Sequence, residues 1–168
     1  RDSRITTIYE GTTGIQANDL IFRKLMRDQG ATAKYVFGEV AATAKALGAS
    51  NRPELQAIAA RLGDGLQAWV KATEWLSADA KNGFAGALTA AVPYLHLAVN
   101  VCGGWLMGKA ALAAAGYLDK GEGDQTFYRG KIATAHFYAD QMLPLATSYG
   151  ITVQAGGASL AALTDDML

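Results

Sequence analysis

Residues 52–77, "RPELQAIAARLGDGLQAWVKATEWLS", decide the fold class. Pro53 suits a first helical position, where its missing N–H would have no intrahelical partner anyway. Behind it, Leu55, Ile58, Ala59, Leu62, Leu66, Trp69, Val70, Thr73 and Leu76 recur at helical spacing. Glu54, Arg61, Asp64, Lys71 and Glu74 fall on the opposite face. A long helix with one apolar side requires other apolar surfaces to pack on, and the flanking sequence offers more helices. The alternation expected of strands is scarce throughout the chain.

Upstream, "QANDLIFRKLMRDQG" places Leu20, Ile21 and Leu25 near one face and stops at a glycine. "TAKYVFGEVAATAKALG" follows, with Val36, Val40 and Leu47 apolar and Gly48 closing it. Downstream, the segment from about Phe84 to Tyr117 reads as the central, most buried helix, bent or divided at Pro93. "LDKGEGD" is a turn by composition. "QTFYRGKIATAHFYADQMLPLATSYG" predicts a further amphipathic helix with Ile132, Ala139, Leu143 and either His136 or Phe137 inward. Pro144 stands near its end or at a kink. The expectation is an all-α protein: an up-and-down antiparallel bundle of about four long helices, preceded by a loop and a short helix.

Bulk properties narrow the function classes. At 168 residues the chain can bury a real core. Lys+Arg and Asp+Glu balance at 15 each, which removes an electrostatic reason to expect nucleic acid or an acidic membrane as partner. The single cysteine, Cys102, cannot form an internal disulfide and lies among apolar residues, so a buried, inert thiol in a reducing, cytoplasmic setting is expected. From Asn82 to Gly108 there is no Asp, Glu, Lys or Arg, a run long enough to span a bilayer. Pro93, His96, Asn100 and several glycines interrupt it, and much of it is alanine, as in a helix buried among helices. No integral membrane span is expected.

The bundle itself offers little chemistry. His96 with Asn100 and His136 with Asp140 are spaced to share helix faces, but no Glu-x-x-His pair is present, and no metal is expected. The aromatic residues fall at helical spacing and read as packing. No phosphate-binding glycine pattern occurs, and the glycine pairs of "CGGW" and "QAGG" read as close helix contacts.

The opening residues are different. In "ITTIYEGTTGIQ", residues 5–16, Glu10 is the only acidic or basic side chain between Arg4 and Asp19, and it sits between Tyr9 and Gly11 among threonines. A carboxylate kept from counter-charges beside an aromatic ring gains proton affinity, as a general base near neutrality requires. Gly11 permits a tight backbone path along which main-chain N–H groups can approach a ligand.

"RDSRITTIYEGTTGIQ" closely resembles the C-terminal signature of acyl-CoA dehydrogenases, in which Arg-Asp-x-x-Ile leads to Ile-Tyr-Glu-Gly-Thr and then Ile-Gln. The helical remainder, above all "FYRGKIATAHFYADQMLP", resembles the extra domain of larger bacterial members. The resemblance implies a division into 1–30, the end of the catalytic domain, and 31–168, an appended bundle. It implies that the chain is part of a longer FAD enzyme that converts acyl-CoA to trans-2-enoyl-CoA. Glu10 would be the catalytic base, its backbone N–H holding the thioester oxygen. Tyr9 and Gly11 would line the substrate site, and Thr12 and Thr13 would contact FAD. Gly14 departs from the glutamine frequent there. An electron-transfer flavoprotein would be the acceptor, and the full-length enzyme would be a homo-oligomer. The chain alone would hold no FAD and would be inactive. The alternative is a non-catalytic helical interaction or assembly domain.

Overall fold

The computed structural model describes residues 4–5, 11–79, 85–161, 163 and 165–167. Among them every regular element is helical. The first helix, α1 (Thr13–Asn18), runs directly into a π-helical turn, Asp19–Leu25. Then come α2 (Ala31–Gly48), α3 (Pro53–Asp79), α4 (Ala85–Lys120), α5 (Gln125–Gln141), α6 (Pro144–Ala155), the single turn α7 (Ala158–Ala161) and a closing 3₁₀ turn, Asp165–Met167. The short links after α2 and α4 return the chain against the preceding helix. The result is the expected antiparallel bundle.

α3 opens at Pro53 as its sequence predicts. Leu55, Ile58, Leu62, Trp69 and Leu76 are buried, and each fully buried Leu or Ile contributes roughly 1.5–3 kcal/mol of apolar transfer energy. α4 packs on α1, α2, α3, α5 and α6, so it is the axis of the molecule. Its inward side is built from Ala87, Ala90, Ala91, Tyr94, Leu97, Val101, Ala111 and Ala114. Alanines and glycines here let neighbours approach closely. A Cβ on Gly104 would stand 2.7 Å from Leu143 Cδ2, and one on Gly108 would stand 2.9 Å from Leu47 Cδ1. On Gly103 it would meet the Tyr138 hydroxyl, which donates to the Asn100 carbonyl at 3.0 Å. The "CGGW" glycines are helix contacts, as expected, and Gly156 of "QAGG" adopts φ +60 against the Trp75 ring.

Several sequence expectations are corrected. Of the two expectations for Pro93, a bend or a join of two helices, the join is excluded, since α4 continues unbroken through it. Proline lacks only one donor, and the packing of α4 on the surrounding helices outweighs that loss. The long last helix is two helices. At the break, Met142 N–H and Leu143 N–H both reach the Tyr138 carbonyl, at 2.9 and 3.1 Å, and Pro144 starts α6 at its first turn. Phe137 is 65% exposed and His136 half-buried, while Ala135 takes the inward position between Ile132 and Ala139. The first helix does not continue as a regular α-helix, since Met26 N–H bonds the Ile21 carbonyl, five residues back, at 2.9 Å.

By length and composition α4 could cross a bilayer; 44% of its apolar window is buried inside the bundle. Local signals hold the ends. Asp124 Oδ1 accepts the N–H groups of Thr126 and Phe127, at 2.9 and 3.0 Å, and caps α5. Asp124→Ala is expected to cost about 1 kcal/mol, measurable by urea titration followed by circular dichroism. Arg52 pairs with Asp119 at 2.7 Å across the α3–α4 end. Asp119 is exposed and Arg52 partly so, and that pair contributes under about 1 kcal/mol.

Candidate functional site

Glu10 and Tyr9 lie outside the described residues; Gly11, Thr12 and Thr13 lie within them. Thr12, at φ −76 and ψ 45, is the centre of a tight three-residue turn in which Thr13 N–H donates to the Gly11 carbonyl at 2.9 Å. The Thr12 carbonyl then accepts Gln16 N–H at 2.8 Å, the first bond of α1. The segment after Glu10 therefore turns sharply and enters a helix at once. Gly11 is half-buried, while Thr12, Thr13 and Gly14 are exposed, with nothing within 4 Å of where a Gly14 Cβ would stand. This end of the motif presents two hydroxyls and a helix N-terminus to whatever adjoins it.

A second feature was not read from the sequence. The π-helical turn, the start of α2 and the middle of α3 and α4 enclose an open cleft of about 810 Å³. Its walls are largely apolar: Leu20, Val36, Leu95, Val99 and Cys102. Lys24, Arg23 and Arg27 stand along one side. Arg23 is engaged by Asp19, and the guanidinium holds that carboxyl below its usual range. Asp28 is likewise occupied. It accepts from the Thr32 hydroxyl and N–H and from Gly30 N–H, and these donors lower its pKa.

A polar cluster lies at the inner side of this cleft. Thr73 Oγ1 donates to the Trp69 carbonyl and lies 2.8 Å from the Tyr94 hydroxyl. The buried Trp69 indole N–H has no hydrogen-bond partner of good geometry among the described residues. Burial pushes the Tyr94 phenol up, offset in part by Thr73 and Trp69, and burial also pushes the Cys102 thiol up. Both groups stay protonated near neutral pH, so neither Cys102 nor Tyr94 is an ionised nucleophile or base there. The sequence signals that could have found it are the cationic run "FRKLMR" and the paired Trp69 and Tyr94 on neighbouring helices.

The two histidine pairs do not converge. His96 stacks on Tyr149 with ring centroids 5.4 Å apart, while Asn100 points inward and donates to the Met142 carbonyl at 3.0 Å. His136 Nε2 lies 3.4 Å from Asp140 at the surface. Among the described residues no group of three His, Cys, Asp or Glu could hold a metal.

With the bundle described, the family can be tested directly. The family model described as "Acetyl-CoA dehydrogenase C-terminal like" matches residues 36–164, nearly the whole bundle. The chain belongs to the acyl-CoA dehydrogenases, in their C-terminal region. This C-terminal region is 44% identical, over 85% of its length, to the 3-methylmercaptopropionyl-CoA dehydrogenase of Ruegeria pomeroyi, of which it covers 24%. It is 36% identical, over 88% of its length, to the broad-specificity linear acyl-CoA dehydrogenase of Mycobacterium tuberculosis, covering 25% of that protein. A butyryl-CoA dehydrogenase of Syntrophomonas wolfei is 32% identical over 86% of the chain and is covered over 24% of its own length. The chain thus spans about a quarter of the length of the curated relatives it matches.

Proposed function

We propose that this chain is the base-bearing C-terminal part of an FAD-dependent acyl-CoA dehydrogenase that oxidises acyl-CoA to trans-2-enoyl-CoA. The observation that carries the reading is the run Ile8-Tyr9-Glu10-Gly11-Thr12, placed immediately ahead of a bundle that the family model matches. Residues 1–30 belong to the catalytic domain and 31–168 to the appended bundle. The start of the family match at residue 36 supports that division.

Glu10 takes the proton from the carbon beside the thioester carbonyl, and its own N–H steadies the oxygen on which charge develops. Tyr9 supplies an apolar wall that favours the protonated product carboxyl. Gly11 lets the backbone approach the acyl thioester without a side chain between them. Thr12 and Thr13 offer hydroxyls to the flavin, and the exposed, uncrowded Thr12–Gly14 turn fits such an approach. FAD, when bound, accepts the β-hydride. The substrates are acyl-CoA thioesters, and the relatives' names support that class. An electron-transfer flavoprotein takes the electrons, and the full-length enzyme works as a cytoplasmic homo-oligomer.

The test compares two proteins under anaerobic conditions. The full-length polypeptide is expected to purify yellow and to lose its flavin absorbance when an acyl-CoA is added. The 168-residue chain alone is expected to purify colourless and to turn over no acyl-CoA. A full-length protein whose flavin spectrum ignores every acyl-CoA offered, from four-carbon to long-chain and sulfur-containing, overturns the reading.

A further inference from the structure

α4 carries no Asp, Glu, Lys or Arg between Ala85 and Gly108, yet one side of it faces solvent. A helix of that composition is normally covered on all sides. The uncovered side is ordered. Leu88, Val92, Leu95, Val99, Cys102 and Leu106 alternate spacings of four and three residues, which keeps them on one line along the helix. Val99 is 61%, Leu106 59% and Leu88 55% exposed. Such a line, roughly 27 Å long at the rise of an α-helix, is the seam against which a second helix packs.

The middle of this seam is recessed. Leu95, Val99 and Cys102 form part of the cleft wall, with Leu20 and Lys24 of the π-helical turn and Val36 of α2 opposite. A two-fold contact requires a surface to match itself. Two recessed seams, each set behind its own walls, do not mesh. The occupant is therefore a convex element other than α4 itself. One edge of the groove carries Lys24 and Arg27, whose side chains form no ion pair among the described residues, while Asp28 on the same edge is spent on Thr32 and Gly30. The chain covers about a quarter of its relatives, and α1, which packs on α4, leads away from the wall of this same groove. A segment tethered there reaches the groove at high effective concentration.

We propose that the α4 seam receives an amphipathic helix from the part of the same polypeptide that precedes the Glu10 loop, with carboxylates on the flank that meets Lys24 and Arg27. This contact would add to the packing of α1 and the π-helical turn on α4 and α2 in fastening the appended bundle to the catalytic part. It rests on the reading of the chain as part of a longer acyl-CoA dehydrogenase.

The test places a charge on the seam in both contexts. Val99→Glu sits at an exposed position, so the 168-residue chain should keep its helical circular dichroism and its melting temperature. In the full-length enzyme the same change buries an unpaired carboxylate, and the melting temperature should fall by roughly 2–4 °C. Leu106→Glu should do the same, and Val99→Ile should not. Lys24→Glu should lower the full-length value more weakly and leave the 168-residue chain unchanged. Equal melting temperatures for wild-type and Val99→Glu full-length enzyme overturn the proposal. A 168-residue chain that sediments as a dimer and becomes monomeric on Val99→Glu also overturns it, assigning the seam to a second copy. So does a small amphiphile that co-purifies with the wild-type full-length enzyme and is displaced by Val99→Glu without loss of stability. Dehydrogenase activity of the wild-type enzyme, measured in parallel, reports separately on the catalytic reading.

Discussion

Glu10→Gln in the full-length enzyme is expected to abolish nearly all turnover while leaving the flavin in place. Glutamine keeps the shape and the hydrogen-bonding reach of glutamate but cannot accept the α-proton, so the change removes the base and little else. Positioned general bases contribute about 10²–10⁴-fold, and kcat should fall within or beyond that range. Because the substrate is held chiefly by other contacts, KM should change far less than kcat. The flavin-to-protein ratio, read from the absorbance spectrum, should match that of the wild type. If kcat remains within a few-fold of normal, the base lies elsewhere in the protein, and the family resemblance of the loop does not extend to its chemistry. Glu10→Asp is the informative companion. It restores a base but withdraws it by one methylene, so partial activity is expected from it and none from the amide.

Leu143→Ala should cause the largest loss of stability in the bundle. Leu143 is 1% exposed and sits at the break between α5 and α6. Its methyl groups lie against the glycine surfaces of two other helices, 3.5 Å from the Cβ direction of Gly65 on α3 and 2.7 Å from that of Gly104 on α4. The side chain fills the space those glycines leave, and truncating it opens a cavity bordered by three helices. Substitutions of this kind cost about 2–5 kcal/mol, and the break beside Pro144 gives the site little freedom to collapse. Urea denaturation of the 168-residue chain, followed by circular dichroism, measures the loss. Gly104→Ala tests the same contact from the opposite direction. It overfills the space and should cost about 1–3 kcal/mol. In the double variant the alanine on α4 partly occupies the cavity, so its loss should be smaller than the sum of the two single losses. Additive losses would mean that Leu143 and Gly104 do not share one space.

The sequence by itself determined the helices, the bundle and the family. The stripe through Leu55, Leu62, Trp69 and Leu76 has one helical solution because its period is fixed by backbone geometry, and α3 buries those residues. The uncharged run around Pro93 marked the central helix, on which α1, α2, α3, α5 and α6 all pack. The order of residues from Arg1 to Gln16 placed the candidate base, Glu10, since a loop motif is a chemical arrangement and is legible as such.

Only the tertiary structure decided the rest. Phe137 and His136 lie about a hundred degrees apart on the helix, and the inward packing of Ala135 and Ala139 leaves Phe137 exposed and His136 half-buried. The split at Met142–Leu143 and the π-helical turn depend on which carbonyls neighbouring amides can reach, and residue periodicity does not encode that. The cleft joins residues from the π-helical turn, α2, α3 and α4 that stand up to about eighty positions apart in the chain. Periodicity reports which side of a helix is apolar, but not whether that side is covered. The seam of α4 from Leu88 to Leu106 reads as buried in sequence, and only the packing of the other helices shows that it faces outward.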